Sequence, residues 1–184
     1  MRPTEILKEE HKAIKLMLRI AEKVCQRLER GEAVPAEHLA EIVSFIRGFA
    51  DKCHHAKEEN LLFPAMEKAG VPKQGGPIGV MLFEHGQGRN YVRNMTEAAE
   101  KYSPGNRQAA SQFVENARNY ISLLTQHIDK EDNILYEIAD GRLSEKDQED
   151  LERGFERVEQ EEMGRGKHEE FEKILELLKK IYYA

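Results

Sequence analysis

The sequence contains one pattern twice, and this duplication restricts the possible folds more than any other feature. The segment HHAKEENLLF begins at His54, and the segment HIDKEDNILY begins at His127, 73 residues later. In each segment a glutamate, Glu58 or Glu131, follows the first histidine by four residues, which is about one turn of a helix. The repeat therefore predicts two equivalent helices, each presenting a histidine and a glutamate on one face.

A shorter element, the dipeptide Glu-His, precedes each copy of this pattern. Its histidine is His11 in the first half, 43 residues before His54, and His85 in the second half, 42 residues before His127. Each half thus contains a histidine followed by a His-x-x-x-Glu pair. Four histidines and two carboxylates in this order are typical of a two-metal site built from a duplicated helix pair.

Hydrophobic residues follow helical periodicity from end to end, and no segment alternates with a period of two. The sequence therefore predicts an all-α protein whose core is an up-down-up-down four-helix bundle. Thr4 is the expected N-cap of the first helix, and the glycine- and proline-rich segment 72–79 separates the two halves. The predicted helices cover about residues 4–30, 36–68, 79–102 and 107–139.

The duplicated pattern ends before the C-terminus, which predicts two regions. Residues 1–142 are expected to form the four-helix bundle, and residues 143–184 a C-terminal helical extension that packs on the bundle or caps it. Within this extension Ser144 is the expected N-cap of a charged helix. The segment Gly164-Arg165-Gly166 then separates that helix from a last amphipathic one.

Helical rows predict which side chains face the core. On the fourth helix, for example, His127 and Glu131 share a row with Leu124 and Ile134. Burying an unpaired carboxylate costs on the order of several kcal/mol, and no lysine or arginine lies in these rows. Histidine-glutamate ion pairs are one solution, but divalent ions would supply the compensating charge and use both residue types as ligands. The expected metal ligands are His11, His54, Glu58, His85, His127 and Glu131.

Other charged residues of the repeat are expected to lie around the site. His55 falls in an acidic row, so it should face solvent or support a ligand. Lys57 and Lys130 flank the two glutamates and are predicted to be surface residues, with a supporting charge near the site as the alternative. Asp132 is a rival to Glu131, because a small rotation of the fourth helix would present its carboxylate instead.

The predicted ligand set indicates which metal it suits. Imidazole and carboxylate without thiolate suit iron or manganese and tolerate zinc. The only cysteines, Cys25 and Cys53, are expected to be small buried hydrophobic residues. Two carboxylates related by the repeat would bridge two ions, as in dinuclear carboxylate bundles. This favours a redox-active di-iron centre, with manganese or zinc as possible substitutes.

Several motifs resemble those of hemerythrin-like (HHE cation-binding) domains, in order and spacing, over about residues 4–140: His11, HHAKEENLLFP, His85 in EHGQGR, and HIDKEDNIL. The resemblance implies a four-helix bundle that holds two iron ions joined by an oxygen bridge. It also implies that the centre binds dioxygen, nitric oxide or peroxide. Glu58 and one of Glu131 or Asp132 would bridge the irons.

The chain departs from oxygen-carrying hemerythrins at one position. Those proteins place a second histidine one turn after the first on the third helix, where this chain has Arg89. The missing ligand would leave one iron more open, as expected for an enzyme or a sensor. Alternatively, Glu84, a tyrosine or His168 of the C-terminal extension would fill the gap.

The resemblance implies a small-ligand binding protein for sensing, storage or the redox stress response. The alternative is an enzyme-like role in reducing peroxide or nitric oxide, or in supplying iron for iron-sulfur centre repair. Because the same ligand set serves both, the sequence does not decide whether the protein is an enzyme. The net charge of −6, the interspersed basic residues and the absence of a long apolar segment predict no nucleic-acid partner, no membrane span and a cytoplasmic location.

Overall fold

The computed structural model describes residues 1–183, which are organised in six helices without a β-strand. The helices are α1 (Pro3–Glu29), α2 (36–68), α3 (Pro77–Lys101), α4 (107–142), α5 (145–162) and α6 (Lys167–Tyr182). The prediction of an all-α helical bundle is confirmed. Helices α1 to α4 begin and end within a few residues of the predicted bounds.

Three helices contain wider, π-helical turns, which are often found at functional sites. In α2 and α4, the turns Glu58–Leu62 and Glu131–Leu135 begin at the two glutamates of the repeated pattern. The α-helical stretches are Ala36–Phe45 and Phe63–Lys68 in α2, Arg107–Lys130 and Tyr136–Arg142 in α4, and Glu145–Arg157 in α5; the other π-helical turns are Ile46–His55 and Val158–Glu162.

Side-chain contacts show that helices α3 and α4 run antiparallel. Between α3 and α4, Glu84 contacts Lys130 and Asn94 contacts Asn116, so residue numbers run in opposite directions along the two helices. The connections between α1 and α2, α2 and α3, and α3 and α4 are short. Short connections between long helices are those of an up-down-up-down bundle.

Buried apolar side chains fill the bundle in two clusters. The larger cluster includes Phe45 and Phe113, and the smaller one includes Phe63 and Phe155. Along each of α1 to α4, the histidines and glutamates of the repeated pattern fall between residues of the larger cluster and residues of the smaller one. The polar site is therefore enclosed by apolar packing on both sides.

Both helices of the C-terminal extension pack on the bundle. Phe155 of α5 belongs to the smaller apolar cluster, and Phe171 of α6 belongs to the larger one. A Cβ atom at Gly48 would lie 2.2 Å from Cζ of Phe171, so glycine at this position allows α6 to approach α2. Within residues 1–183, every helix is too short or too polar to cross a bilayer.

The predicted cap of α5 is confirmed, whereas that of α1 is wrong. The Ser144 hydroxyl accepts a hydrogen bond from the Asp147 N–H at 3.1 Å, and the Asp147 carboxylate accepts one from the Ser144 N–H at 2.9 Å. Helix α1 begins at Pro3 with Arg2 as its N-cap. Thr4 lies inside the helix, where its hydroxyl donates to Asp140 at 2.8 Å.

Candidate metal centre

Seven buried side chains from the four bundle helices meet in two adjoining clusters. Within each cluster, one ligand-type atom of every residue lies within 4.8 Å of the others. None of the seven residues is more than 4% exposed. The structure thus brings together all six expected ligands and adds a seventh residue, His55. Cluster A consists of His11, His54 and Glu131, and cluster B consists of His55, Glu58, His85 and His127.

Glu58 lies between the two clusters. Its Oε1 atom is 3.5 Å from Nε2 of His54 in cluster A and 3.5 Å from Nε2 of His85 in cluster B. One carboxylate thus faces a histidine of each cluster, which is the arrangement of a bridging ligand in dinuclear helix bundles.

Glu131 lies between the clusters in the same way. Its Oε2 atom is 3.1 Å from Nε2 of His11, and its Oε1 atom is 2.8 Å from Nε2 of His127. Asp132 is directed away from the centre and contacts Nδ1 of His11 at 2.6 Å and Lys15 at 3.2 Å. Of the two carboxylates that the sequence left open, the geometry therefore favours Glu131 as the bridging group.

Each histidine of the repeated pattern contacts a carboxylate through its Nδ1 atom. A carboxylate that accepts from Nδ1–H fixes the neutral tautomer and leaves the Nε2 lone pair free for a metal. The four pairs are His11 with Asp132 at 2.6 Å, His54 with Glu10 at 3.1 Å, His85 with Glu59 at 2.9 Å, and His127 with Glu84 at 3.1 Å.

Sequence reasoning did not identify these supporting carboxylates, although the repeat contains a signal for them. Glu10 and Glu84 precede the first histidine of each half, and Glu59 and Asp132 follow the glutamate of each half. Each acidic position is therefore duplicated together with the ligand beside it. Glu84, one of the groups that the sequence offers for the Arg89 gap, contacts Nδ1 of His127 instead.

Several buried atoms of the centre lack a partner that a cation would supply. Within residues 1–183, no hydrogen bond reaches Nε2 of His54 or Oε1 of Glu58. Oε1 of Glu131 lies 2.8 Å from Nε2 of His127, but that nitrogen has no proton to donate when the neutral ring donates through Nδ1 to Glu84. The Nε2 atoms of His85 and His127 lie 3.1 Å apart, and their lone pairs face each other when both rings donate through Nδ1. Such groups are costly to bury without a partner. A donor set of neutral imidazoles and carboxylates fits iron, manganese or zinc.

The two central carboxylates also require positive charge. Burial and the neighbouring Glu131 carboxylate raise the pKa of Glu58 well above its usual value. Burial opposes the ionisation of Glu131 as well, but His127, His11 and His85 hold the pKa of that carboxyl well below its usual value. Two adjacent buried carboxylates do not both ionise unless nearby cations compensate their charge, and divalent metal ions would do so.

The hydroxyl of Tyr136 is directed into the centre. Its oxygen lies 3.0 Å from Oε2 of Glu58 and 3.4 Å from Oε2 of Glu131 and from Nε2 of His11. Burial and the two carboxylates raise the pKa of Tyr136 well above its usual value, so the hydroxyl keeps its proton. A tyrosine is one of the groups predicted to fill the gap at Arg89, but Tyr136 stacks on His11 and therefore lies beside cluster A.

His55 does not face solvent but is buried in cluster B. Its ring stacks on that of His85 with centroids 4.0 Å apart, and its Nδ1 atom is 3.2 Å from Asp51. Burial and the nearby His85 hold the pKa of His55 well below its usual value, which favours the neutral form that binds metals. The wider turns of Ile46–His55 bring both His54 and His55 into the interior, which a regular helical row does not predict.

Arg89, which stands where oxygen carriers have histidine, takes part in an ion-pair network. Its guanidinium contacts Asp51, with Nε 3.0 Å from Oδ1, and also contacts Glu59. These carboxylates in turn contact Nδ1 of His55 and of His85. The fifth histidine of the centre therefore comes from α2 rather than from α3.

His168 lies outside both clusters. Its ring packs on Phe49, and its Nδ1 atom is 3.3 Å from Glu172, so the structure does not bring it to the centre. Lys130 is partly exposed, as expected, and contacts Glu84 at 2.7 Å.

Lys57 is completely buried, which contradicts its predicted place on the surface and agrees with the alternative, a supporting charge near the site. Its Nζ atom lies 2.7 Å from Glu10 and 2.8 Å from Glu159 of α5, because the C-terminal extension covers this side of the bundle. Cys53 lies beside the same carboxylates, and burial raises the pKa of its thiol to about 12. Glu10, Cys53 and Glu159 thus form a third group of potential ligands, but here the Lys57 ammonium rather than a metal ion compensates the charge of the two carboxylates.

A cavity of about 400 Å³ opens beside cluster B. His55, His85 and His127 line part of its wall, whereas His11, His54 and Glu131 of cluster A are not among its lining residues. Gly88 also lines the cavity, and a Cβ atom there would lie 3.4 Å from the ring of Tyr120. A small molecule can therefore approach the centre from the side of cluster B.

Comparisons with known proteins agree with this geometry. A family model described as the hemerythrin HHE cation binding domain matches residues 2–139. The uncharacterized proteins Rv1995 of Mycobacterium tuberculosis and Mb2018 of Mycobacterium bovis are each 26% identical to the chain over 160 residues. The matched region is 87% of this chain and 62% of each relative, so the chain spans about three fifths of their length. No solved structure matches the chain.

Proposed function

We propose that this chain, which belongs to the hemerythrin family of HHE cation-binding domains, holds two iron ions and binds dioxygen, nitric oxide or peroxide. The observation that carries the proposal is the position of Glu58 and Glu131 between two histidine clusters, with buried ligand atoms that lack partners. Manganese or zinc would fit the same donors. His11 and His54 would hold one ion and His55, His85 and His127 the other, with Glu58 and Glu131 shared between them.

When bound, iron would supply one-electron redox chemistry and a coordination position for a small ligand. The protein's own groups orient the donors and control access to them. The supporting carboxylates hold each imidazole with Nε2 inward, and apolar packing on both sides restricts water. The cavity beside cluster B is the route by which a ligand would enter.

A catalytic role in reducing peroxide or nitric oxide is the second candidate, and the position of Tyr136 favours it. Its hydroxyl oxygen lies 3.0 Å from Oε2 of Glu58, so a group that donates a hydrogen bond lies inside the centre.

Anaerobic loading with iron tests the proposal. We expect two irons per chain by elemental analysis and a visible absorption band that changes on exposure to oxygen. Reversal of the band when oxygen is removed supports binding, whereas sustained consumption of peroxide or nitric oxide supports catalysis. Protein loaded with zinc, which has no redox chemistry, is the control and should show neither response. A chain that retains neither iron nor zinc would overturn the proposal.

A further inference from the structure

A continuous line of contacts joins the C-terminal extension to cluster A. Oε1 of Glu159 is 2.8 Å from Nζ of Lys57, and the same Nζ atom is 2.7 Å from Oε2 of Glu10. The other oxygen of Glu10, Oε1, lies 3.1 Å from Nδ1 of His54. Glu10 therefore uses one oxygen for the lysine and the other for the histidine.

Burial makes this line of contacts necessary rather than incidental. Lys57 is 0% exposed, and a buried ammonium is stable only when carboxylates compensate its charge. Glu10 is also buried, and His54 and Lys57 lie against its two oxygens. Glu159 is the partner from outside the bundle. It lies in the π-helical turn Val158–Glu162, beyond the matched residues 2–139.

We propose that Lys57 and Glu159 are positioning residues for cluster A, so that the C-terminal extension completes the support of this half of the metal centre. Lys57 holds Glu10 in the orientation that accepts from Nδ1 of His54, and Glu159 holds Lys57. The histidine Nε2 atom is thereby kept directed toward Glu58, from which it lies 3.5 Å. The inference rests on the proposed function, because it requires that cluster A bind an ion.

The second half of the repeat offers a matched internal control. Lys130 contacts Glu84 at 2.7 Å, and Glu84 contacts Nδ1 of His127 at 3.1 Å, which repeats the lysine, glutamate and histidine of the first half. The Lys130 side chain is 39% exposed. Water can replace its ammonium beside Glu84, whereas water has no equivalent access to the buried Lys57.

Cobalt(II) titration in competition with a chelator tests the inference, because it measures the affinity of each bound ion and the visible spectrum reports its ligands. We expect Lys57→Met to lower the affinity for one of the two cobalt ions by about tenfold or more, which is the range for residues that support metal ligands. Glu159→Ala should lower the affinity for the same ion by about threefold to tenfold. Glu159→Gln should recover part of that loss, because its amide oxygen still accepts from Lys57.

Three further variants complete the experiment. His11→Ala identifies the ion of cluster A, because it removes a predicted ligand of that ion only. Lys57→Met and Glu159→Ala should lower the affinity for this same ion. Lys130→Met should change either affinity by less than about threefold. Glu161→Gln alters an exposed carboxylate of the same turn and should have no effect.

The possible results separate the two proposals. A wild-type chain that fails to bind two cobalt ions contradicts the proposed function. A wild-type chain that binds two ions, with both affinities unchanged within twofold in Glu159→Ala, overturns the role of the extension. Equal effects of Lys57→Met and Lys130→Met would also overturn it. If Lys57→Met does not fold, as judged by circular dichroism, the variants at the partly exposed Glu159 decide the question.

Discussion

Clusters A and B are built from equivalent positions in the two halves of the sequence, yet their surroundings differ. Cluster A is closed, because the C-terminal extension buries Lys57 beside it and the Tyr136 hydroxyl fills its inner side. Cluster B opens on a cavity and contains an additional histidine, His55. The repeated positions thus account for the six residues of the pattern and for their supporting carboxylates, whereas residues that differ between the halves determine that only cluster B adjoins the cavity.

The differences are confined to a few positions. In the second half, Leu124 and Ile128 occupy the positions equivalent to Asp51 and His55, so the fifth histidine and its carboxylate belong to the first half only. Because α2 packs beside α3, this additional pair nevertheless serves cluster B. The additional histidine of cluster B and its supporting carboxylate thus come from a single pair of residues one turn apart.

Removal of both shared carboxylates should have the largest effect, because they are the groups that connect the clusters. The double variant Glu58→Ala, Glu131→Ala is expected to lose both iron ions, from two per chain to none by elemental analysis. Each ion would lose its negatively charged ligands, and neutral imidazoles alone would compensate little of its charge. Glu67→Ala, which alters an exposed carboxylate of α2, is the control and should retain two irons. An unchanged iron content in the double variant would refute the assignment of Glu58 and Glu131 as metal ligands.

Truncation of His55 should distinguish the two clusters. His55→Ala is expected to lower the metal affinity of cluster B by about tenfold to a hundredfold and to change that of cluster A by no more than about twofold. The measurement is a two-site titration with a competing chelator. His168→Ala removes a partly exposed histidine outside both clusters and should change neither affinity. An effect of His168→Ala as large as that of His55→Ala would show that the fifth histidine has been wrongly assigned.

Much of this site could be predicted from the sequence because the repeat preserves both spacing and order. The fold class, the helix bounds and the six residues of the repeated pattern follow from helical periodicity. Asp132 and Glu131 could not be separated in this way, since their difference depends on the rotation of α4. Ile134 shows the limit of the method, because the π-helical turn Glu131–Leu135 directs Leu135 inward and leaves Ile134 54% exposed.

The errors at His55 and Lys57 have a common physical cause. Regular helical rows predict both residues to lie outside the core, because a regular helix gives each face a fixed set of residues. The π-helical turns Ile46–His55 and Glu58–Leu62 alter that spacing, and no local sequence signal marks them. The burial of Lys57 additionally requires Glu159, which lies about 100 residues away in a helix whose packing a sequence pattern does not reveal.

Narrowing the cavity tests whether the open side of the centre is its entrance. Gly88→Leu is expected to slow the association of nitric oxide with the iron-loaded protein severalfold, while two irons remain bound. The leucine side chain would extend into the cavity beside Tyr120 and Leu124. Stopped-flow absorption measures the rate, and Gly86→Leu, at an open position of the same helix, is the control. Equal association rates for the two variants would mean that ligands enter elsewhere.

The smallest effect is expected at the outermost charges, where each half has a partly exposed basic side chain beside a supporting carboxylate. Lys15 contacts Asp132 as Arg89 contacts Glu59, and the two basic side chains are 44% and 42% exposed. Ion pairs of this exposure contribute about 0.2–1 kcal/mol. Arg89→Leu should therefore lower the metal affinity of cluster B, and Lys15→Leu that of cluster A, each by no more than about fivefold.

The two-site chelator titration measures both variants of this pair, and equal effects would show that the outer support of the clusters is equivalent. The position of Arg89 gives the result a wider meaning, because oxygen carriers of the family have a metal ligand there. If Arg89→Leu lowers the metal affinity much more than Lys15→Leu does, Arg89 does more than stabilise Glu59 and Asp51. A small and equal loss would instead support His55 as the residue that has taken over the ligand role, leaving Arg89 as an ordinary charge partner.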